Sequence, residues 1–413
     1  MKMKKSIFFA LALALSVSAF AQEASNASHF KFYGFIRNYF AFDTRESSAG
    51  TADLYYYMPK DESFVNGEDI NATPSFRFVA LTTRAGVDVT GYEVAGYKVG
   101  AKIEADFYAG LSGSTGTAQF RLRQAYLTLA KGARSWKIGQ AWHPMAADLP
   151  DIFSLESGVP FGPFSRTPMV SLDLGMGNGW SLNAAALWQM QYTSTGPDGA
   201  SANYIRNSCI PELYFGISYK GQNGGAFRIG ADYLNIKPYK NDALGGVASS
   251  RRGSWIFFEY GQFKLGDFTF KEKVTFAEDG SHMNMIGGYG VSSLEKGGEF
   301  AFSSTRNLSG WATVQYKTKN SNWVPSLFLG YARNFGTKDP IVADFWGKNS
   351  VQNIKDMYRI QPELLYNLGK VQFGLEYMFT SVRYGKSGNL KVASDDLHWV
   401  NNHRIQVMVK YTF

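Results

Sequence analysis

The last nine residues constrain the fold of this chain most. Apolar and polar side chains alternate along this segment, and the chain ends on an aromatic residue. Because successive side chains of a β-strand point to opposite faces, the segment predicts a strand with one apolar and one polar face. The apolar set is Ile405, Val407, Val409, Tyr411 and Phe413, and the polar set includes Gln406, Lys410 and Thr412.

A two-sided strand at the chain end has two interpretations. It resembles the closing strand of bacterial outer-membrane β-barrels, whose terminal aromatic residue and the alternating apolar residues before it are read by the barrel-assembly machinery. That resemblance implies that Val409, Tyr411 and Phe413 form an assembly signal. The alternative is an ordinary β-sandwich strand that happens to end the chain.

The amino terminus has the parts of a secretory signal peptide. Lysines among the first five residues precede an apolar run, and a small-x-small cleavage pattern ends at Ala21. The apolar run is too short to span a bilayer. We therefore predict a signal peptide at residues 1–21 with cleavage near Ala21, a short periplasmic segment at residues 22–28, and a barrel at residues 29–413.

Composition narrows the class of protein further. The net charge of +8 is mild for 413 residues, and no basic block occurs, so nucleic acid is not an expected partner. Cys209 is the single cysteine, so an exported chain of this kind has no internal disulfide. Aromatic residues make up 16% and charged residues 18%, against about a quarter charged in ordinary soluble domains. Aromatic girdles and a lipid-facing wall account for such a composition.

Segments that alternate apolar and polar residues recur about sixteen times along the chain. Long and short connections alternate between them, from a long first connection at residues 43–74 to a long last one at residues 385–398. Outer-membrane barrels have short periplasmic turns at one rim and longer external loops at the other. We therefore predict an all-β fold, a transmembrane up-and-down antiparallel β-barrel of about 16 strands, with 14 or 18 strands as alternatives.

Basic residues on these strands indicate which face points inward. A Lys or Arg that faces lipid at mid-bilayer costs about 2–4 kcal/mol, and the whole stability of a folded protein is about 5–15 kcal/mol. We therefore expect Lys98, Lys102, Arg121, Arg123 and Arg359 to face the lumen. A barrel of about sixteen strands encloses an aqueous channel, so the polar inner face predicts a water-filled pore.

One strand departs from this pattern. Glu272 shares a face with the apolar residues of the segment 268–276. Either Glu272 lies at the membrane interface, or a β-bulge shifts the alternation of the strand. The sequence leaves both explanations open.

Three segments resemble porins of the DcaP-like family. They are Phe-Arg-Leu-Arg-Gln-Ala-Tyr at residues 120–126, Ile-Gly-Gln-Ala-Trp at residues 138–142, and Phe-Ser-Arg-Thr-Pro at residues 164–168. The resemblance, together with the loop plan, implies a trimeric, sixteen-stranded channel associated with small, often anionic organic solutes.

The third long connection, residues 143–166, is rich in proline and aromatic residues, which indicates an ordered segment. In sixteen-stranded porins the third external loop commonly folds into the lumen and narrows it. Asp148, Asp151, Glu156 and Arg166 would then set a field across the constriction against basic residues of the wall, and rings of charge select permeants by sign and size. The alternative is that these acids lie on the outer surface and bind nothing in particular.

Catalysis and cofactor binding have little support. The five histidines show no metal-ligand spacing, and no nucleophile motif occurs, so we predict no enzyme activity, no cofactor and no metal. We predict an outer-membrane porin of a Gram-negative cell, a diffusion channel for small hydrophilic solutes with a possible preference for organic anions. The expected partners are outer-membrane lipid, the barrel-assembly machinery, small solutes and two further copies in a homotrimer. The alternative is a surface receptor or adhesin that uses its long external loops, among them the tyrosines at residues 55–57.

Overall fold

The computed structural model describes residues 29–50, 55–108 and 119–413. The predicted signal peptide, the predicted periplasmic segment at residues 22–28 and most of the second long connection lie outside the described residues.

Within the described residues, sixteen strands form one closed antiparallel sheet, as the alternation predicted. Each strand pairs with its sequence neighbours, and the first pairs with the last, with Arg37 opposite Lys410. The strands are β1 (Phe30–Asp43), β2 (Ser75–Val79 and Arg84–Val94), β3 (Tyr97–Tyr108), β4 (Gln119–Lys131), β5 (Arg134–Trp142), β6 (Arg166–Gly177), β7 (Trp180–Leu187), β8 (Glu212–Lys220), β9 (Ala226–Ile236), β10 (Arg252–Leu265), β11 (Phe268–Glu278), β12 (Phe300–Tyr316), β13 (Trp323–Thr337), β14 (Ile354–Leu368), β15 (Val371–Ser387) and β16 (Ala393–Thr412).

Closure of the sheet explains why this sequence folds as a barrel. Every backbone group of a spanning strand must be paired in lipid, and a closed ring has no free edge. The side chains alternate accordingly. Trp323, Leu329 and Tyr331 of β13 are exposed on the outer wall, whereas Phe328 and Ala332 are buried inside. The outer wall is therefore apolar and the inner wall is packed and polar.

The long connections hold small elements of their own. Three pairs of short strands occur in these connections: Ser47–Gly50 with Tyr55–Pro59, Phe64–Val65 with Glu68–Asp69, and Gly287–Leu294 with Phe345–Lys348. One α-helix, α1 (Asn203–Ser208), and three 3₁₀ turns (Pro144–Ala146, Ser281–Met283 and Val351–Asn353) complete the described elements. None of the helical segments in these ranges has the length and apolar character needed to cross a membrane.

One predicted strand and two predicted connections differ from the structure. The second strand is interrupted at residues 80–83. The sixth long connection, expected at residues 279–307, is shorter because β12 begins at Phe300, and this connection contains the strand Gly287–Leu294. The eighth shrinks to residues 388–392, because β15 and β16 continue toward one another beyond their expected ends. Polar residues at these strand ends interrupt the alternation of apolar and polar side chains, so the strands were predicted too short.

The structure excludes one of the two explanations for Glu272. Strand β11 pairs with β10 and β12 from Phe268 onward without a register shift, so there is no β-bulge at Glu272. Glu272 therefore points outward with Val274 and Phe276, near the middle of its strand. Its carboxyl group hydrogen-bonds that of Glu259 on β10 and accepts a hydrogen bond from the Gly261 amide. A polar group on an apolar wall costs less free energy when it is hydrogen-bonded.

Candidate functional site in the barrel lumen

The third long loop, residues 143–165, turns into the barrel because it carries apolar side chains that water disfavours. Phe161 is fully buried, with its ring centroid 6.1 Å from that of Phe328 on β13. Phe164 packs edge-on against Trp142 of β5 at 5.1 Å. Burial of a Phe side chain contributes about 1.5–3 kcal/mol. The inward path of this loop, expected from the resemblance to sixteen-stranded porins, is confirmed.

Hydrogen bonds hold the middle of the loop against one side of the wall. The hydroxyl of Tyr39 on β1 donates to the Phe153 carbonyl at 2.8 Å. The Phe153 amide donates to the Glu363 carboxylate of β14 at 2.7 Å. Gln361, also on β14, donates to the Ser154 hydroxyl at 2.8 Å. The loop backbone therefore finds inside the lumen the partners that it would otherwise find in water.

A buried lysine anchors the start of the loop. The Lys273 ammonium of β11 donates to the carbonyl oxygens of Met145 at 2.7 Å and Asp148 at 2.8 Å. Its alkyl chain and charge lie among the aromatic rings of Tyr260 and Trp311. A fully buried ammonium group is costly unless its donors are satisfied, so the position of Lys273 depends on the loop as much as the loop depends on Lys273.

The structure places each predicted loop acid against a basic residue of the wall. Asp148 pairs with Arg228 of β9 at 2.7 Å, and Asp151 pairs with Lys271 of β11 at 2.5 Å. Glu156 is buried, with a carboxylate oxygen 3.7 Å from Arg359 of β14. All three acids therefore lie inside the barrel, each close to one cation of the wall. Arg228, Lys271 and Lys273 were missed, although their inward positions on alternating strands could have revealed them.

Arg166 closes the loop at the start of β6 and is 1% exposed. Its guanidinium lies 4.7 Å from the centre of the Trp142 ring and donates to the Tyr192 hydroxyl at 2.8 Å. In the described part of the chain it forms no ion pair with a carboxylate, so its positive charge is balanced by rings and a hydroxyl alone. The rings hold the guanidinium in place, and its charge contributes to the field in the cavity that it lines.

The predicted wall cations of β3 and β4 form an ion-pair network. Arg121 makes two 2.8 Å hydrogen bonds to Asp106. Arg123 bridges Asp106 at 2.7 Å and Glu104 at 2.9 Å. Closely paired charges of this kind hold their side chains in one geometry.

The two predicted lysines of β3 lie further along the same face. Lys102 pairs with Asp88 of β2 at 2.6 Å. Lys98 lies on the same face of the strand nearer the short turn, where it is exposed.

A cavity of about 360 Å³ lies between the loop and this network. Six cationic side chains and three carboxylates line it, which leaves an excess of three positive charges. The cations are Arg37, Arg84, Arg121, Arg123, Arg166 and Lys410, and the acids are Asp106, Asp151 and Glu363. Sequence reasoning placed Lys410 on the polar face of the last strand without counting it as a lumen residue, and it did not consider Arg37 and Arg84.

The first loop also packs inside the mouth of the barrel. Arg404 of β16 donates to the Tyr56 carbonyl at 2.6 Å, and the Tyr384 hydroxyl of β15 donates to the Pro59 carbonyl at 2.7 Å. Tyr55 and Tyr57 are 4% and 2% exposed, and burial raises the pKa of Tyr57. Tyr55 and Tyr57 are therefore not available for the receptor surface that the alternative function would place here, and Tyr56 between them is half-buried.

Comparison with known proteins agrees with this geometry. A family model described as the DcaP outer membrane protein matches residues 10–154. The crystal structure of the outer membrane channel DcaP of Acinetobacter baumannii superposes with a TM-score of 0.68 at 20% identity, covering 94% of this chain and all of that one. The chain has the fold of outer-membrane porins and resembles the DcaP family.

Other solved porins share the fold at lower similarity. OmpT of Vibrio cholerae has a TM-score of 0.53 and 12% identity, covering 95% of this porin and all of OmpT. An anion-selective porin from Comamonas acidovorans has a TM-score of 0.53 and 10% identity, covering 93% of this porin and 99% of that chain. No curated protein matches the porin.

Proposed function

We propose that this porin is a passive diffusion channel that favours small organic anions over cations. The observation that carries the proposal is the excess of three positive charges around the cavity beside the third loop. A narrow passage lined by one sign of charge raises the local concentration of the opposite ion. The similar Comamonas protein is described as anion-selective, which supports the same direction.

Residue roles follow from this proposal. Arg37, Arg166 and Lys410 attract the anion, because no ion pair with a carboxylate occupies them among the described residues. Arg121 and Arg123 are held in ion pairs and shape the wall. The loop acids Asp148, Asp151 and Glu156 fasten the loop to the wall and contribute little net field, because each lies against a cation.

Planar-bilayer recording tests the channel and its selectivity separately. Refolded protein should give stepwise currents, and the absence of steps would remove the channel itself. In a KCl gradient the reversal potential should have the sign of an anion-preferring pore. A cation-preferring potential would refute the preference while leaving the channel intact. Vesicle-swelling rates for an organic acid and its neutral amide of equal size extend the test to organic solutes.

Trimer formation and assembly are parts of the same proposal. OmpT, which shares the fold, is described in a trimer form, and we propose a homotrimer here. Chemical cross-linking in native membranes should give a ladder that stops at three copies, and a ladder that stops at one would refute the trimer.

Phe413 donates its amide to the Gly34 carbonyl at 3.1 Å and stays half exposed on the outer wall with Tyr411. This position supports a role for the chain end as an assembly signal. Deletion of Phe413 should lower the amount of folded protein in the outer membrane, and an unchanged amount would refute that role.

A further inference from the structure

Four buried ionisable side chains meet on the inner wall, apart from the residues that line the cavity. His143 is the first residue of the third loop, Glu212 begins β8, Asp232 lies on β9, and His282 lies in the 3₁₀ turn of the sixth loop. Each is at most 3% exposed. Diffusion through the pore gives these four groups no role, so their convergence needs another explanation.

The two distances from His143 to the carboxylates are longer than those of ordinary ion pairs. His143 Nε2 lies 3.4 Å from Glu212 Oε1 and 3.5 Å from Asp232 Oδ2. Charge-assisted N–H···O hydrogen bonds are about 2.7–2.9 Å long. In a tetrahedral zinc site with ligand bonds of about 2.0–2.1 Å, neighbouring ligand atoms are about 3.3 Å apart. The two distances from His143 Nε2 to the carboxylate oxygens therefore match the edges of a metal-centred tetrahedron.

A fourth ligand is close to this set. His282 Nε2 lies 3.0 Å from the same Glu212 oxygen. The ligand atoms of the other three residues all lie within 4.8 Å of one another. Two imidazoles and two carboxylates suit Zn²⁺ and its neighbours among the divalent transition metals, and the two negative charges match the charge of the ion.

Unsatisfied atoms provide a second, independent observation. Both carboxylate oxygens of Asp232, which is 0% exposed, have no hydrogen-bond partner in the described part of the structure, and neither has His143 Nε2. Buried polar atoms are nearly always satisfied, and a buried unpaired carboxylate is costly. A cation placed between these atoms would satisfy them together.

We propose that His143, Glu212 and Asp232 bind a divalent transition metal of the zinc type, with His282 as the fourth ligand. The ion fastens the third and sixth loops to the wall strands β8 and β9. Coordination through Nε2 places the His143 proton on Nδ1, so the Met145 amide must leave its 3.2 Å contact with that nitrogen. One weak hydrogen bond is exchanged for a metal–nitrogen bond, which is far stronger.

The experiment uses the full-length protein without a histidine tag, extracted from outer membranes in detergent. Folding is checked by the mobility of unheated samples on gels. Zn²⁺ binding to chelator-treated protein is followed by calorimetry, and retained metal is measured by mass spectrometry. We expect one tightly held Zn²⁺ per chain.

Asp232→Asn keeps the size of the side chain and removes its charge. It should weaken Zn²⁺ binding by more than about tenfold. Removal of a residue that only hydrogen-bonds a metal ligand already costs about that much affinity. Asp173→Asn is the matched control, because Asp173 is an inner-wall acid already bonded to Asn183, outside the cluster. The control should bind Zn²⁺ as the wild type does.

Cobalt provides a readout that needs no variant. Wild-type protein loaded with Co²⁺ should show the intense visible absorption of a tetrahedral site, even if Asp232→Asn fails to fold. Absence of that absorption would overturn the proposal. Equal Zn²⁺ binding by the wild type and a folded Asp232→Asn protein would also overturn it, since the ion would then sit elsewhere. A wild type that binds no Zn²⁺ would show that protons alone hold the four groups together.

Discussion

Replacing Lys410 by Gln tests whether the excess positive charge beside the third loop selects the permeating ion. Lys410 faces the lumen on β16 and lines the cavity. Its charged neighbours are Arg37, Arg84 and Glu363, and none of the described carboxylates forms an ion pair with it. Removing its charge therefore leaves no carboxylate without a partner. Any change in ion selectivity then reflects the loss of the electrostatic field of Lys410.

The expected magnitude follows from Coulomb's law. At roughly 8 Å from the path of an ion, two unit charges in water interact by about 0.5 kcal/mol, and salt at about 0.1 M reduces this by about half. An anion loses this attraction and a cation loses the equal repulsion. The free-energy difference between the two ions therefore changes by about 0.5–1 kcal/mol, which is about two- to fivefold in the permeability ratio.

Reversal potentials in a KCl gradient measure this ratio directly. Lys410→Gln should lower the ratio of anion to cation permeability by about two- to fivefold, and Lys410→Glu should lower it by about the square of that factor. Lys98→Gln serves as the control, because Lys98 is exposed at the end of β3, away from the cavity. The reasoning fails if Lys410→Gln changes the ratio no more than Lys98→Gln does, or raises it.

Three further changes test other parts of the barrel. Lys273→Met removes both hydrogen bonds to the loop, so we expect about 1.5–3 kcal/mol less stability to urea and larger, noisier single-channel currents. Replacing Glu259 and Glu272 together by Leu removes two carboxyl groups from the outer wall and should stabilise the barrel in vesicles by about 1–2 kcal/mol. Hydrogen bonds from Ser250 and Ser249 lower the pKa of Glu299 from 4.5 to about 2. The hydrogen bonds of the two serines to the Glu299 carboxylate are therefore fully formed above pH 4.5 and are lost as the pH falls through about 2. In the wild type, amide exchange at Ser249 and Ser250 should stay slow down to about pH 4. In Glu299→Gln it should be fast at every pH.

Each of these changes has a control or a contrary outcome. Lys264→Met removes an exposed lysine of β10 and should leave both stability and current noise unchanged. Lower stability of the Glu259→Leu, Glu272→Leu protein would contradict the outward placement of that pair on an apolar wall. Slow amide exchange at Ser249 in Glu299→Gln would show that other contacts hold the loop between β9 and β10.

The barrel itself was predictable because lipid imposes one rule on every strand. Lys102 and Ile103 have to lie on opposite faces, and the same argument repeats along each spanning segment, so errors at single positions do not change the fold. The long loops carry no comparable constraint. Asp148 pairs with Arg228, which lies 80 residues away in the sequence. The path of the loop across the lumen decides which acid pairs with which cation.

Two residues show where local patterns fail. His282 meets Glu212 across 70 residues of chain, so a search for closely spaced metal ligands could not bring these residues together, nor His143 with them. Glu272 interrupts the apolar face of β11, and the sequence left open a position at the membrane interface or a β-bulge as the reason. The structure excludes the bulge and places Glu259 of the neighbouring strand beside Glu272 as a partner, a pairing that appears only once the register of β10 and β11 is known.

The attachments of the third loop have a mechanical consequence. Asp148 is tied to β9 through Arg228, and the Phe153 carbonyl is tied to β1 through Tyr39. In a ring of sixteen strands β9 and β1 are diametrically opposed. An unbraced cylinder of hydrogen-bonded strands flattens toward an ellipse when squeezed from the side, whereas a tie-rod across its diameter resists that deformation. The loop that narrows the passage therefore also keeps its outline round, so the size limit for solutes should stay constant when lateral pressure in the surrounding bilayer changes.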